Sequence, residues 1–456
     1  MNCAELHQDI ANLKEIGEPL LAMFNDAVGN GKISKNYQKQ VLEVSNQKDI
    51  VIQKYLNSII EYNPDEFDGI LIDATDTIMN GKRITLRASS MIPAQSEKRV
   101  LVGGKLGLLY SIDETSSEYS DNRELNFVRK IITLPNSNTP IILGEQGIFT
   151  YTKHDNKWEI EQCGQQLARG MASDIISISE NDVIVRNNVT ELYIYHQENE
   201  KWELKDLNKE YNQAPLIKAN TIVAAPEQNA IIAAGNNTSI CIFHKENDQW
   251  VPELIPFSEK KLRNITMGTP MPDGSGILLG GPNGALYHCH QENGQWTTGK
   301  QIDGFKSVDK MLIDTVHKII PLPGGNDILI SGSYGGLHNY HKVNSEWQLS
   351  KDSIDGFIGS TKINSPVNAS VVLPNKDVLI GGDNGALCIL RKENDKWVIR
   401  KNILKDNEID GNITNICKIP DTNTICIGTN MGSLYTYNIP TADEAISVIV
   451  QKNKRV

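Results

Sequence analysis

The amino-acid sequence predicts an all-β chain, an eight-bladed β-propeller of four-stranded antiparallel blades with a small α-helical N-terminal segment. Three observations carry this expectation: a tryptophan that returns at a fixed place, an apolar triplet that returns eight times, and the polar turns between them. Seven blades is the alternative if the first or last copy is degenerate.

All six tryptophans, Trp158, Trp202, Trp250, Trp296, Trp347 and Trp397, are separated by 44, 48, 46, 51 and 50 residues. A period of that size marks a repeat architecture. Each closes a polar hairpin, as in His196-Gln197-Glu198-Asn199-Glu200-Lys201-Trp202 and His244-Lys245-Glu246-Asn247-Asp248-Gln249-Trp250, with copies over 153–158, 290–296, 341–347 and 391–397. Their Asn, Asp and Gly accept the left-handed backbone that a tight turn between strands requires.

Upstream of each hairpin runs an apolar triplet, then a small residue, glycine and a second apolar run. Val378-Leu379-Ile380-Gly381-Gly382-Asp383-Asn384-Gly385-Ala386-Leu387 is the cleanest copy, and equivalents start at Val100, Ile141, Val183, Ile231, Ile277, Ile328 and Ile425. Unbroken triplets, rather than alternation, describe strands covered on both faces. A blade between two neighbouring blades is covered in that way. A further apolar stretch ending in a turn precedes each triplet, as in Val371-Val372-Leu373-Pro374-Asn375. Each unit therefore reads strand a, turn, strand b, Gly-rich turn, strand c, Asn-x-x-Trp hairpin, strand d. Strings such as Leu329-Ile330-Ser331-Gly332-Ser333-Tyr334-Gly335-Gly336-Leu337 resemble the strand b to strand c stretch of WD40 repeats, over about residues 83–439. The resemblance implies a propeller. The chain departs from that family in lacking the Gly-His start and the Trp-Asp ending, so the hydrogen-bond network of WD40 blades is not carried over with it.

An open ring would leave unpaired sheet edges, so one blade must combine both chain ends. Gly69-Ile70-Leu71-Ile72-Asp73 is assigned as the outer strand of the last blade, with residues 445–450 as the competing candidate. The organisation expected is a helical segment over 1–64, the propeller over 65–440 and a tail over 441–456. Within the first segment Leu6, Ile10, Leu13 and Ile16, then Ile52, Tyr55, Leu56, Ile59 and Ile60, recur at helical spacing. Asp26-Ala27-Val28-Gly29-Asn30-Gly31-Lys32-Ile33-Ser34 resembles the start of an EF-hand loop, but Val28 at the third position and Tyr37 at the twelfth remove two ligands. A plain interhelical turn is expected there, and no metal.

A formal charge of −11, from 56 acidic against 45 basic residues, opposes a phosphate backbone and excludes nucleic acid as a partner class. The start Met1-Asn2-Cys3-Ala4-Glu5 lacks a basic then apolar leader, and no apolar run approaches the ~20 residues of a membrane span. A cytoplasmic, monomeric protein without a membrane span is expected. Seven cysteines with no C-x-x-C pair argue against a disulfide framework or a zinc ribbon; Cys241, Cys289, Cys388 and Cys426 fall in strand-like runs and read as buried thiols.

Four histidines, His196, His244, His290 and His341, stand six residues before a tryptophan. Equivalent positions on adjacent blades lie about 10 Å apart, whereas zinc draws its nitrogens to within ~2.1 Å, so hydrogen bonding beside the hairpin is expected instead. The tryptophans read as blade-to-blade packing rather than sugar platforms. No catalytic motif of the Gly-x-Ser-x-Gly or His-Glu-x-x-His kind occurs, and no cofactor is implied.

These readings converge on a non-catalytic protein–protein interaction scaffold. A propeller lectin or small-ligand binder is the alternative, and a propeller hydrolase or lyase the second. Abundant Asn, Lys and Ile beside eukaryote-like repeats point to a bacterial protein acting in a host cell. The candidate binding residues come from a repeated tetrapeptide: Ile302-Asp303-Gly304-Phe305, Ile354-Asp355-Gly356-Phe357 and, in part, Ile409-Asp410-Gly411-Asn412. These links between blades gather around the channel mouth. Asp303, Phe305, Asp355, Phe357 and Asp410 could there form aromatic anchors rimmed by acidic groups; the competing reading is that Asp-Gly turns the chain and Phe plugs the gap between blades.

Overall fold

Eight four-stranded antiparallel sheets account for every strand of the described residues. The computed structural model describes residues 70–73 and, apart from short stretches between strands, 90–439. The expected N-terminal helices, the turn at 26–34 and the candidate at 445–450 lie outside the described residues.

In chain order the blades are Ser90–Ala94, Arg99–Gly103, Leu108–Ile112 and Ser117–Asp121 (blade 1); Lys130–Thr133, Pro140–Leu143, Ile148–His154 and Lys157–Cys163 (blade 2); and Ala172–Ser177, Asp182–Asn187, Leu192–Glu198 and Lys201–Asp206 (blade 3). Blade 4 comprises Ala219–Ala225, Ala230–Gly235, Ser239–Glu246 and Gln249–Pro256, and blade 5 Met267–Pro270, Ile277–Gly280, Leu286–Glu292 and Gln295–Thr298. Blade 6 comprises Val316–Pro321, Asp327–Gly332, Leu337–Val343 and Glu346–Ser353, and blade 7 Val367–Val372, Val378–Gly382, Leu387–Glu393 and Lys396–Asn402. Blade 8 takes Ile413–Lys418, Thr424–Thr429 and Leu434–Asn438 from the C-terminal side and Ile70–Asp73 from the N-terminal side, the latter beside Leu434–Asn438. The outer strand of the last blade is thus the one expected from the sequence. Strand a of each blade contacts strand a of the next, and that of blade 8 contacts that of blade 1, so the eight blades close into a ring.

Every apolar triplet lies within a strand b and is buried. Apolar clusters straddle neighbouring blades, as where Val100, Val102 and Tyr110 of blade 1 meet Cys417, Cys426 and Leu434 of blade 8. The glycine after the triplet has a physical reason. A Cβ at Gly381 would stand 2.6 Å from Ile413 Cγ2, and one at Gly280 2.5 Å from Val316 Cγ1, so the next blade's inner strand lies against bare backbone. In the hairpins the expected left-handed residues are Asn199, Asn293, Asn344 and Asn394, with φ between 46° and 51°. Strand a carries a feature the sequence did not announce: a one-residue bulge after its first residue in blades 3, 4, 6, 7 and 8. The bulged residues are Ser173, Asn220, His317, Asn368 and Thr414, all polar, and Asn220 and Asn368 reach the next blade's Ile265 and Ile413 carbonyls at 3.2 and 3.1 Å. Bulges re-aim side chains, here those of Asn220, His317 and Asn368 toward the next blade, while Ser173 and Thr414 donate to carbonyls of their own strand b.

Candidate functional site

Antiparallel order places b–c turns and the links from strand d to the next strand a on one face, with a–b turns and c–d hairpins on the other. In blades 3, 6 and 8 a backbone hydrogen bond ties the b–c turn to the link entering the same blade: Asn188 N–H to the Met171 carbonyl at 2.8 Å, Ser333 to Thr315 at 2.9 Å and Asn430 to Asn412 at 2.9 Å. On this face the large exposed apolar side chains of the described residues are Met171, Val189, Tyr334 and Met431, the last two 55% and 54% exposed. Asp410 is exposed on the link into blade 8. Its backbone N–H donates to Tyr435 Oη at 2.9 Å, and the neighbouring Gly411 lies so close to Met431 that a Cβ there would stand 2.5 Å from Met431 Cγ. An acidic group therefore sits beside an exposed thioether.

The other tetrapeptide residues divide. Asp303, Phe305 and Asp355 lie outside the described residues. Phe357 is 2% exposed and packs with Leu329, Leu337, Val367 and Ile380 between blades 6 and 7, so its ring belongs to the core. The isoleucines anchor the links: Ile302 N–H donates to the Leu286 carbonyl at 2.9 Å and Ile354 to Leu337 at 2.8 Å.

On the opposite face the histidines and tryptophans act between strands and blades. His196 Nδ1 pairs with Asp182 Oδ1 at 2.7 Å, and His244 and His290 Nε2 pair with Glu246 and Glu292 at 2.9 and 3.0 Å. Trp202, Trp250, Trp296 and Trp397 bury their rings in the seam with the preceding blade. The lysine paired across the hairpin from a tryptophan reaches back to a carboxylate of the preceding blade: Lys245 to Asp182 at 3.3 Å, Lys342 to Asp273 at 2.8 Å and Lys392 to Asp327 at 2.8 Å. Trp347 Nε1 donates to the same Asp273 oxygen at 3.0 Å. Blades 3 and 5 hold Gln197 and Gln291 at the lysine position, and the strand b of the blade before each opens on Pro140 or Ala230 rather than Asp. Lysine and carboxylate are thus matched in the seams between blades 3 and 4, 5 and 6, and 6 and 7. Burial pushes the pKa of Asp327 up, but the bonds from Lys392 and Asn339 outweigh it and hold it below the usual carboxylate range. Asp182 is lowered in the same way by Ser179, His196 and Lys245 against the opposing effect of burial. This seam network was missed at the level of sequence; aligning the aspartate directly ahead of the triplet with the lysine five residues before the tryptophan would have found the Asp182 and Asp327 pairs, but not Asp273, which stands four residues ahead of its triplet in the a–b turn.

Among the described residues no group of three or more His, Cys, Asp or Glu side chains could hold a metal, and no helix is long and apolar enough to cross a membrane. Six described cysteines are free and buried, and burial pushes Cys241, Cys289 and Cys417 up to about 12.

The fold is that of a WD40-like propeller. Sqt1 of Saccharomyces cerevisiae superposes with a TM-score of 0.59 at 10% identity, over 82% of this chain and 99% of that one. Sqt1 of Chaetomium thermophilum, bound to the N-terminus of the ribosomal protein L10, superposes with a TM-score of 0.60 at 11% identity, over 82% and 100% of the two chains. At these identities the likeness is one of fold. No family model and no curated protein matches the sequence.

Proposed function

We propose that this propeller is a non-catalytic, monomeric protein-docking scaffold of the cytoplasm whose partners bind the face carrying the b–c turns. The observation that carries the reading is the placement of Tyr334, Met431, Met171 and Val189 as exposed apolar groups on that face, with Asp410 beside Met431. Aromatic and thioether groups rimmed by acid suit a basic or amphipathic protein segment. A net charge of −11 favours the encounter. A neighbour of the same fold is bound to the N-terminus of a ribosomal protein, which supports a protein segment as the class of ligand. The Asn-, Lys- and Ile-rich composition supports a bacterial chain acting in a host cell. Asp303, Phe305 and Asp355, from the other copies of the tetrapeptide that holds Asp410, are proposed as binding residues on the sequence alone.

The test places a photo-crosslinking residue at Tyr334 or Met431 and, as controls, at Val343 or Val372 on the opposite face. Covalent protein adducts are expected from the first pair only. Equal labelling from both faces, or none from either, overturns the reading.

A further inference from the structure

The inner strands bring a set of cations to the channel that the docking reading does not use. Ring order sets blade 2 opposite blade 6, four blades away in either direction, so Lys130 and Lys318 project from facing inner strands. Lys318 Nζ donates to the Asn368 carbonyl at 2.8 Å, a neutral acceptor, while Lys130 Nζ donates to Asp174 Oδ1 at 2.8 Å. Burial, and after it the charge of Lys130, hold the Lys318 pKa below the usual lysine range, as expected of two ammonium groups that feel each other across the axis.

Arg186 is the third cation, and its position departs from the repeat. It occupies the place after the triplet where the other blades hold Gly103, Gly144, Ala234, Gly280, Ser331, Gly381 and Gly428. At Gly280 and Gly381 a Cβ alone would strike Val316 or Ile413, the first residue of the next inner strand. Blade 4 instead opens on Ala219, and the smaller side chain leaves room for the arginine. Strand register sets Arg186 opposite Asp174, and its buried Nε has no hydrogen-bond partner among the described residues. The neighbouring polar groups are accounted for. His317 Nε2 bonds Asn368 Oδ1 at 2.9 Å, Asn368 Nδ2 donates to Asp383 at 2.8 Å, and Arg129 pairs with Glu145 at 3.3 Å. Lys130, Arg186 and Lys318 thus stand among two carboxylates, Asp174 and Asp383, leaving one positive charge in excess within an acidic chain.

We propose that the central channel binds one small phosphate-bearing anion, held between Lys318 on one side and Lys130 with Arg186 on the other. The donor set selects the chemistry: three cationic groups from two sides of the channel call for an anion with several acceptor oxygens, and those of a phosphoryl group accept from ammonium points and a guanidinium fork together. The inference is independent of the docking reading.

Calorimetric titration of the full chain with inorganic pyrophosphate at low ionic strength tests it, with acetate as a monovalent control. One saturable site is expected for pyrophosphate and none for acetate. Lys318→Met and Arg186→Met should each weaken binding by about tenfold or more, as loss of one charged hydrogen-bond donor implies, whereas the exposed Lys396→Met leaves it unchanged. Without ligand, Lys318→Met should melt no lower than the parent chain, because it removes a part-buried cation bonded only to a carbonyl. Absence of saturable binding, equal binding of acetate, or an affinity that Lys318→Met leaves intact overturns the proposal. Should Arg186→Met fail to fold, Lys318→Met decides alone.

Discussion

Phe357 and Asp410 come from copies of one tetrapeptide and have opposite environments. The ring is enclosed between two blades while the carboxylate is in water, and only the second can meet a partner without unfolding something. Phe357→Ala is expected to lower stability by about 3–5 kcal/mol in urea denaturation, the range for emptying a packed aromatic site. Asp410→Ala should stay within about 0.5 kcal/mol of the parent and, if the docking reading holds, weaken partner capture. The motif itself was legible in the sequence, but which member faced solvent was not, because that depends on how closely two blades approach. His288 was likewise invisible. Its ring centre lies 5.0 Å from that of His290 with the two planes tilted, and burial first, then the charge of His290, lower its pKa to about 4 from 6.5. The neutral form is favoured by folding, so the stability it contributes is present above pH 6.5 and is lost as pH falls toward 4. His288→Gln should flatten that part of a stability-versus-pH curve measured by urea melts.

At the scale of the element, strand b was the most legible piece, because a triplet covered on both faces leaves a signal that needs no knowledge of neighbours. The glycine following it was legible as a mark but not as a reason. Its reason is the next blade's Ile413 or Val316, and Gly381→Ala is expected to cost about 1–3 kcal/mol by overpacking, read in the same denaturant assay. The bulge of strand a left no trace, since a polar residue near a strand end is ordinary. The seam pairs were hidden by distance: Lys342 and Asp273 are 69 residues apart, and Lys392 and Asp327 are 65. They also fix the acid limb. Asp182, Asp273 and Asp327 have depressed pKa values, so the stability they lend is present above about pH 4, the unfolded value, and is lost as pH falls through their lower folded values. Asp273→Asn should blunt this loss below pH 4 while leaving the His288 window intact, which separates the two contributions in one titration.

At the scale of the whole molecule the question is how a chain of repeats ends. Neighbour-only packing lets a solenoid stop anywhere, but a propeller must meet itself, and here the meeting is made by four residues, Ile70–Asp73, laid beside Leu434–Asn438. The sequence could nominate this strand because a ring with seven complete sheets and one three-stranded sheet leaves one place unfilled. It could not show the channel, whose facing lysines lie 188 residues apart in the chain and meet only once the ring has closed. Closure therefore carries both stability and the proposed anion site. Two truncations differing by little more than the strand separate its role from that of everything before it. A chain beginning at residue 65 keeps the strand, and one beginning at residue 74 lacks it. Without it, Leu434–Asn438 becomes an edge with its hydrogen-bonding groups unpaired, open to pairing with another copy. The longer chain is expected to run as a monomer by size-exclusion chromatography with light scattering and to melt in one cooperative step. The shorter one should melt lower and shift toward dimers or larger species as concentration rises, and a peptide spanning residues 66–76 added in trans should reverse that shift. If the shorter chain stays monomeric and equally stable, the strand does not lock the ring, and the inner-strand contact of blades 1 and 8 suffices to close it.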